Sequence, residues 1–341
     1  MASIVPDLRS PVPRIAIIGT GIAGLSCGRA LVSKARYAVT FFEKSSAPGG
    51  RVATRQTEEG LQFDHGAPYF SAHDERFLRQ LDAWREENVV EEWTGRLAAI
   101  AERRILDRAR VGSGRRFVGV PSMNSLGRRM AEGLEIRHGK QVSGVAMSED
   151  VLLPLDEQGA ELGEFDAAVI AVPAVQAGAL LRGSPRLAGI AGGVPMSPCW
   201  AVMAALPEAL PVRFDGAFIY DGALVWAARD SSKPYRRASP ETWVLHATPA
   251  WSRTHLEENP ESVAQRLLAA FAAAAASRVP EPLYLSAHRW RYALPAAPLA
   301  EACLFDPQAR LGACGDWCCG PGIEHAFLSG LAMADRLMDR F

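Results

Sequence analysis

Three segments of this 341-residue chain carry residue types that could grip a redox dinucleotide. The first is Gly19-Thr20-Gly21-Ile22-Ala23-Gly24. Its first two glycines permit a tight turn and close approach of backbone to a pyrophosphate. The third lets a helix pack closely on the preceding strand. The pyrophosphate would sit on the N–H groups that open that helix, around Ile22 and Ala23. Glu43 follows Gly24 by nineteen residues, with Lys44 beside it. A carboxylate there accepts hydrogen bonds from ribose hydroxyls. These features alone fit NAD as well as FAD.

The other two segments discriminate. Gly49-Gly50-Arg51 lets the chain pass under a diphosphate and offers a guanidinium to neutralise it. Gly315-Asp316-Trp317 follows an apolar run, and its carboxylate suits a ribityl chain, which NAD lacks. A helix starting near Ile323 would aim its N-terminus at the pyrimidine edge of an isoalloxazine, where reduction places negative charge. Glu324 in its first turn reads either as a cofactor contact or as a capping acid. The three segments in this order predict an FAD site, and with it redox chemistry.

Positioning these segments requires a β-α-β unit at the start. Arg14–Ile18 and Tyr37–Glu43 read as strands around a helix over Leu25–Lys34, which opens a parallel sheet. Residues 73–93 are amphipathic and predict one helix, and 121–133 another with Pro121 in its first turn. Leu134–Val145, Val151–Leu155 and Phe165–Val172 predict strands. Residues 198–250 alternate as several β segments, 259–277 predict a helix, Leu311–Cys314 a strand and Ile323–Arg340 a last helix. The expected fold class is α/β. A Rossmann-type FAD-binding domain with a parallel sheet (14–70, 118–175 and 295–341) is interrupted by a mixed-sheet and helix substrate domain (71–117 and 176–294). Residues 1–13, with three prolines, read as a flexible arm.

Composition excludes several classes. Net charge is −1, which suggests neither nucleic acid nor an anionic membrane as partner. No apolar run reaches the length of a membrane span. The six cysteines form no CxxC pair and no zinc spacing, and read as reduced thiols of a cytoplasmic protein. Only four of the 37 basic residues are lysines: Lys34, Lys44, Lys140 and Lys233.

Longer stretches carry a resemblance. Gly49-Gly50-Arg51, Phe63-Asp64-His65-Gly66-Ala67-Pro68-Tyr69-Phe70, Ala287-His288-Arg289-Trp290-Arg291-Tyr292-Ala293, Cys314-Gly315-Asp316-Trp317-Cys318 and Glu324-His325-Ala326-Phe327-Leu328-Ser329-Gly330 resemble the bacterial renalases, within the wider flavin amine-oxidase-like set. The resemblance implies hydride transfer from 2- or 6-dihydro isomers of NAD(P) to flavin N5, with O2 as acceptor. It also implies flavin contacts from Asp64, Gly66, Ala67, Pro68 and Tyr69, with Val142 at the dinucleotide. Two positions depart from the family pattern: His65 replaces Leu or Met, and Pro68 replaces Gln, removing a polar side chain and a backbone donor.

A dihydropyridine needs no protein base to release hydride. The protein must hold one ring carbon roughly 3–3.5 Å from its acceptor. The expected pocket wall is Tyr69, Trp226, His246, His288, Arg289 and Trp290, with Arg229, Arg236, Arg237 or Arg253 available to substrate phosphates. An amine oxidase of the monoamine type tends to place a lysine shortly before its C-terminal FAD segment. Here residues 234–341 contain no lysine, and Lys233 beside Pro234 reads as a loop residue. An FAD-dependent amine or amino-acid oxidase is therefore the alternative reading. A non-catalytic binding protein on this fold would usually lose part of the cofactor segments, all of which are present. Neither His65 nor Cys318 lies in an attachment sequence, so the flavin is expected to be non-covalent.

Overall fold

The computed structural model describes residues 12–106 and 114–341, so all but the last two positions of the expected arm lie outside it. Two sheets organise the chain. The first has six strands in the order Leu304–Asp306, Leu311–Ala313, Ala167–Ile170, Arg14–Ile18, Ala38–Glu43, Glu135–His138. All its pairings are parallel except that of the antiparallel edge strand Leu304–Asp306. Its central strands are apolar on both faces, as a doubly covered parallel sheet requires. Helices Ile22–Val32 and Ile323–Met338 share one core with Ile15 and Ile17. Helices Ala174–Leu180 and Pro185–Gly192 share the other with Ile18 and Ile170.

The second sheet has seven strands: Tyr284–Pro295, Met196–Leu206, Glu241–Ala247, Leu224–Arg229, Gly216–Ile219, Leu97–Ala101 and Arg104–Ile105. It is antiparallel apart from the pairing of Gly216–Ile219 with Leu97–Ala101. One face packs on helix Pro260–Ala274, with Trp243 and Phe271 rings 4.8 Å apart. The opposite face looks toward the segment that joins the glycine turns to Tyr69.

Several sequence expectations need correction. The helix expected over 73–93 ends at Glu86, because Asn88 takes φ 55° and Val90–Glu92 pairs as a strand with Phe117–Gly119. The helix expected from Pro121 begins only at Ser125. The N–H groups of Met123 and Asn124 are drawn instead to the side chains of Asp64 and Thr54. The single strand expected over Leu134–Val145 is broken at Gly139 (φ 65°). Glu135–His138 joins the parallel sheet, and Val142–Ser148 forms a hairpin with Val151–Asp156. Helices Glu75–Glu86 and Pro185–Gly192, expected in the substrate domain, pack in the cores of the first sheet. Apart from the local hairpin, each difference comes from a partner distant in sequence.

Candidate active site

The glycine turn is built as its spacing demands. Gly19 has φ 102°, and a Cβ there would lie 2.6 Å from the Ala171 carbonyl oxygen. A Cβ on Gly24 would lie 2.3 Å from the Gly19 oxygen, so this position in the first turn of helix Ile22–Val32 must be glycine. The second glycine segment is zipped to the first: Gly49 N–H donates to Thr20 O at 2.8 Å, and Gly21 bridges Gly49. The Glu43 carboxylate accepts the Thr20 N–H at 3.0 Å and the Thr20 hydroxyl at 2.6 Å, which holds it beside the turn. Val142 shares a core cluster with Ile18 and Phe42 at the same end of the sheet. Lys44 is exposed.

Two helix N-termini test whether this cradle fits a flavin dinucleotide. Helix Ile22–Val32 is capped by Gly21 with no side-chain acceptor and no acid in its first turn, while Ile22 and Ala23 are buried. Helix Ile323–Met338 begins after Gly322 (φ 106°), also without a side-chain cap. Buried N–H groups at an uncapped helix start call for an acceptor. The positive end of the dipole favours an anionic one. A diphosphate at the first helix and the electron-rich edge of a reduced ring at the second meet both demands.

Arg51 and Asp316 come together. The guanidinium donates to both Asp316 oxygens at 2.7 and 2.9 Å, and to the Ala293 carbonyl at 2.8 Å. This bidentate pair pins both glycine-containing segments to strand Tyr284–Pro295. Asp316 is almost fully buried and Arg51 about a third exposed. Arg51→Ala would strip the partner from a buried carboxylate and a positive charge from the cradle. Flavin retention through gel filtration in dilute buffer is expected to fall by the equivalent of ~1.5–3 kcal/mol of binding. Full retention would remove Arg51 from the cofactor contacts.

The second sheet supplies a continuous row of side chains. Cross-strand register aligns His288, Ala201, His246, Trp226, Phe218 and Ala99, so all six share one face. Tyr69 packs on Trp226 at 5.3 Å and on Trp93 at 6.5 Å. His65 stacks on Trp290 at 5.3 Å and meets His288 edge-on at 4.8 Å. The His65 carbonyl accepts the Trp290 indole N–H at 2.9 Å, and His246 Nε2 lies 3.4 Å from the same oxygen. Behind this loop, Gly66 N–H donates to Ala53 O and Ala67 N–H to Arg51 O. Pro68 follows directly, without an N–H of its own. The expected wall residues Tyr69, Trp226, His246, His288 and Trp290 thus gather in one region.

The histidines of this region are uncharged, and the Arg116 guanidinium lies over the Tyr69 and Phe218 rings at 5.5 and 6.0 Å. Burial pushes His65 down to about 3 and His246 to about 4, and it lowers His288, with Arg55 adding to the effect. All three imidazoles are neutral at pH 7. His65 Nδ1 and Trp226 Nε1 are buried without a hydrogen-bond partner. Orphaned polar atoms beside the aromatic row are what a polar ligand would satisfy. Sequence reasoning missed Trp93 and Phe218. Alternation along Gly216–Ile219 could have placed Phe218, but nothing local marks Trp93.

Other expected residues lie elsewhere. Arg289 is corrected: strand alternation puts it on the opposite face from His288 and Trp290. There it donates to Leu256 O at 2.6 Å, pairs with Glu257 at 2.8 Å and covers Trp200. Glu324 accepts the N–H groups of His73 and Asp74 at 2.6 and 2.7 Å, so it holds the entry to helix Glu75–Glu86. Arg229 is paired with Asp215 and Glu241, and Arg236 is buried on Asp64 at 2.8 Å. Neither is available to a phosphate, whereas Arg237 and Arg253 are exposed. Lys233 lies in a loop as expected, but its ammonium is enclosed between Asp64 and Asp230.

Comparison with known proteins matches this architecture. Residues 17–84 match the NAD(P)-binding Rossmann-like domain, and residues 92–338 the flavin containing amine oxidoreductase family. The chain belongs to the flavin-containing amine oxidoreductases. Among solved structures it is similar to a protein described as a protoporphyrinogen oxidase from Exiguobacterium sp. 255-15. That likeness has a TM-score of 0.76 at 14% identity and covers 96% of this chain and 99% of the other. Wild-type putrescine oxidase bound to putrescine gives 0.69 at 13% identity with the same coverage. A redesigned triple mutant of putrescine oxidase gives 0.70 at 12% identity, again with that coverage. At these identities the likeness is one of fold.

Membership of the flavin-containing amine oxidoreductases makes the protein an oxidoreductase with FAD as its cofactor. The cradle at Gly19–Gly24, Glu43, Gly49–Arg51 and Asp316, with the uncapped start of helix Ile323–Met338, fits that group. Among the described residues no helix is long and apolar enough to cross a membrane. The thiols of Cys314 and Cys318 are buried and held well above their ordinary range. A thiol that resists ionisation is a poor nucleophile toward a flavin. Acid precipitation is therefore expected to release the flavin into the supernatant. Yellow colour left in the pellet would show a covalent link.

Proposed function

We propose that this flavin-containing amine oxidoreductase is a renalase-like dihydro-NAD(P) oxidase. It would take a hydride from the 2- or 6-dihydro isomers of NAD(P) and pass the electrons to O2, giving H2O2 and NAD(P)+. The observation that supports this reading is the row of neutral rings, His288, His246, Trp226 and Tyr69, with unsatisfied polar atoms at its edge. A dihydronicotinamide is a flat, uncharged ring with a carboxamide. Indole and phenol faces stack against such a ring, and neutral imidazoles can both donate to and accept from the amide.

FAD, when bound, supplies the hydride acceptor. The chain's residues have the task of holding one ring carbon in place and keeping water out. No base is required, because the ring nitrogen supplies the electron pair and aromatisation drives the loss of hydride. A protonated amine would want a carboxylate. The two carboxylates behind the loop, Asp64 and Asp230, are already matched by Lys233 and Arg236. Lys233 is equally unavailable to carry a water toward the ring.

Anaerobic rapid mixing tests the proposal. Flavin reduction by 2- or 6-dihydro-NAD(P) is expected to exceed that by ordinary 4-dihydro-NAD(P)H or by amines by at least ~10²-fold, because one ring position shifts the reacting carbon by more than an ångström. At saturation the rate should stay flat between pH 6 and 9, since His65 and His246 remain neutral throughout. The family and the putrescine oxidase fold favour the other reading, an amine or amino-acid oxidase. Fast bleaching by a primary amine, or a bell-shaped profile, would establish it instead.

A further inference from the structure

The buried ionic cluster behind the His65 loop remains without a role in that scheme. Asp64 sits at its centre. Its Oδ2 accepts from Lys233 Nζ at 2.9 Å and from Arg236 at 2.8 Å. Its Oδ1 accepts from the Thr54 hydroxyl at 2.6 Å and the Met123 N–H at 3.0 Å. Its own N–H donates to Asp230 Oδ2 at 3.1 Å, and Asp230 Oδ1 pairs with Lys233. The side chains of Asp64, Asp230 and Lys233 are entirely enclosed, and that of Arg236 is nearly so. Two negative and two positive charges thus tie the cofactor-side segments at 54, 64 and 123 to one short stretch of the second domain, 230–236.

Stability alone does not account for such a cluster. Desolvating four charges costs about as much as their pairing returns, and apolar replacements often do as well. What the cluster does supply is direction. Residue 65 follows immediately, and its carbonyl sits on Trp290 and beside His246. Residues 66 and 67 then bond to the backbone at Ala53 and Arg51. A slip at Asp64 would move every one of these contacts.

We propose that Lys233 is a positioning residue, which grips Asp64 from the second domain and so fixes the 64–69 segment between the Gly49-Gly50-Arg51 turn and the aromatic row. Its effect on the substrate ring rests on the function proposed above. Its effect on the bound flavin's surroundings does not.

The test uses FAD-loaded protein carrying Lys233→Met, Asp230→Asn, or both. The double variant removes one charge of each sign and leaves Asp64 on Arg236. Lys233→Met alone is expected to lower the melting midpoint, and the double variant to recover most of the loss. In the double variant the visible absorption and circular dichroism bands of the flavin should still be shifted. Anaerobic reduction by saturating 6-dihydro-NAD should fall about 10²-fold, with reduction by dithionite unchanged. A double variant with the native flavin spectrum and native rate would overturn the proposal and leave charge balance as the cluster's whole role. Should the double variant not fold, Lys233→Arg decides. It keeps the charge but spreads it over a wide fork, so a shifted flavin spectrum supports positioning and a native spectrum overturns it. If 6-dihydro-NAD fails to reduce the wild-type enzyme, the proposed substrate is wrong, and the spectra still decide the role of Lys233.

Discussion

Lowering the pH from 8 to 5 is expected to remove on the order of 4 kcal/mol of folding stability through two histidines. His65 and His246 ionise in the folded protein at about 3 and about 4. In the unfolded chain both return to ~6.5. A depressed histidine favours folding while the unfolded chain is also neutral, above pH ~6.5. As the pH falls through that value the unfolded chain takes up protons that the folded one refuses. Each ring then costs roughly 2 kcal/mol by pH 5, and the loss continues until the folded rings themselves protonate. His288 works in the same direction. Asp64, held below its usual range by Lys233 and Arg236, adds its loss only in stronger acid. Asp230, pushed up by burial and by Asp64, works in the opposite sense.

Variants separate these contributions. The wild-type melting midpoint should fall by roughly 5–10 °C between pH 8 and 5. His246→Asn should keep its midpoint at pH 8 close to native and lose about half of that fall. His65→Leu should behave likewise. If both variants fall as steeply as the wild type, the two rings are not held neutral by burial.

Gly330→Ala is expected to unseat the cofactor from 300 residues away in sequence. A Cβ at Gly330 would lie 2.1 Å from the Ala23 carbonyl oxygen and 2.8 Å from Ser26 Cβ, against ~3.5 Å for an ordinary contact. The obstacle is backbone in the first turn of helix Ile22–Val32, so no side chain can swing aside. The two helices must part by more than an ångström. The helix start that fits the diphosphate moves with them, and so does Ser329, whose hydroxyl holds the Gly315 N–H at 3.0 Å. Overpacking of this kind costs ~1–3 kcal/mol or more in stability. Flavin should be lost on gel filtration at a midpoint where folding is still complete. Gly189→Ala is the matched control. It lies in helix Pro185–Gly192 with nothing within 4 Å of its Cβ position, so the change should be neutral or stabilise by ~0.5–1 kcal/mol. A Gly330→Ala protein with native midpoint and full flavin would contradict the close approach.

The sequence by itself determined the cofactor and the class of fold. Gly19–Gly24, Glu43 and Gly49–Arg51 could be read because a turn under a diphosphate is a local demand. It asks for particular residues at fixed spacing, and the flanking strand and helix carry their own periodicity. The apolar runs of a parallel sheet covered on both faces were legible for the same reason. The tertiary structure alone decided how charges and rings were spent. Arg51 and Asp316 meet across 265 residues, and Lys233 reaches Asp64 across 169. No window of sequence contains both partners of either pair. Arg289 looked like a pocket residue beside His288 and Trp290. A pleated strand sends neighbours to opposite faces, and only the pairing of Tyr284–Pro295 with Met196–Leu206 fixed which face carried the row of rings. Asn88 turned a long amphipathic helix into a helix and a strand because Phe117–Gly119 offered a ladder to pair with. Periodicity reports which side of an element is apolar. What that side packs against, and which buried charge finds which partner, is settled only when distant segments compete for the same space.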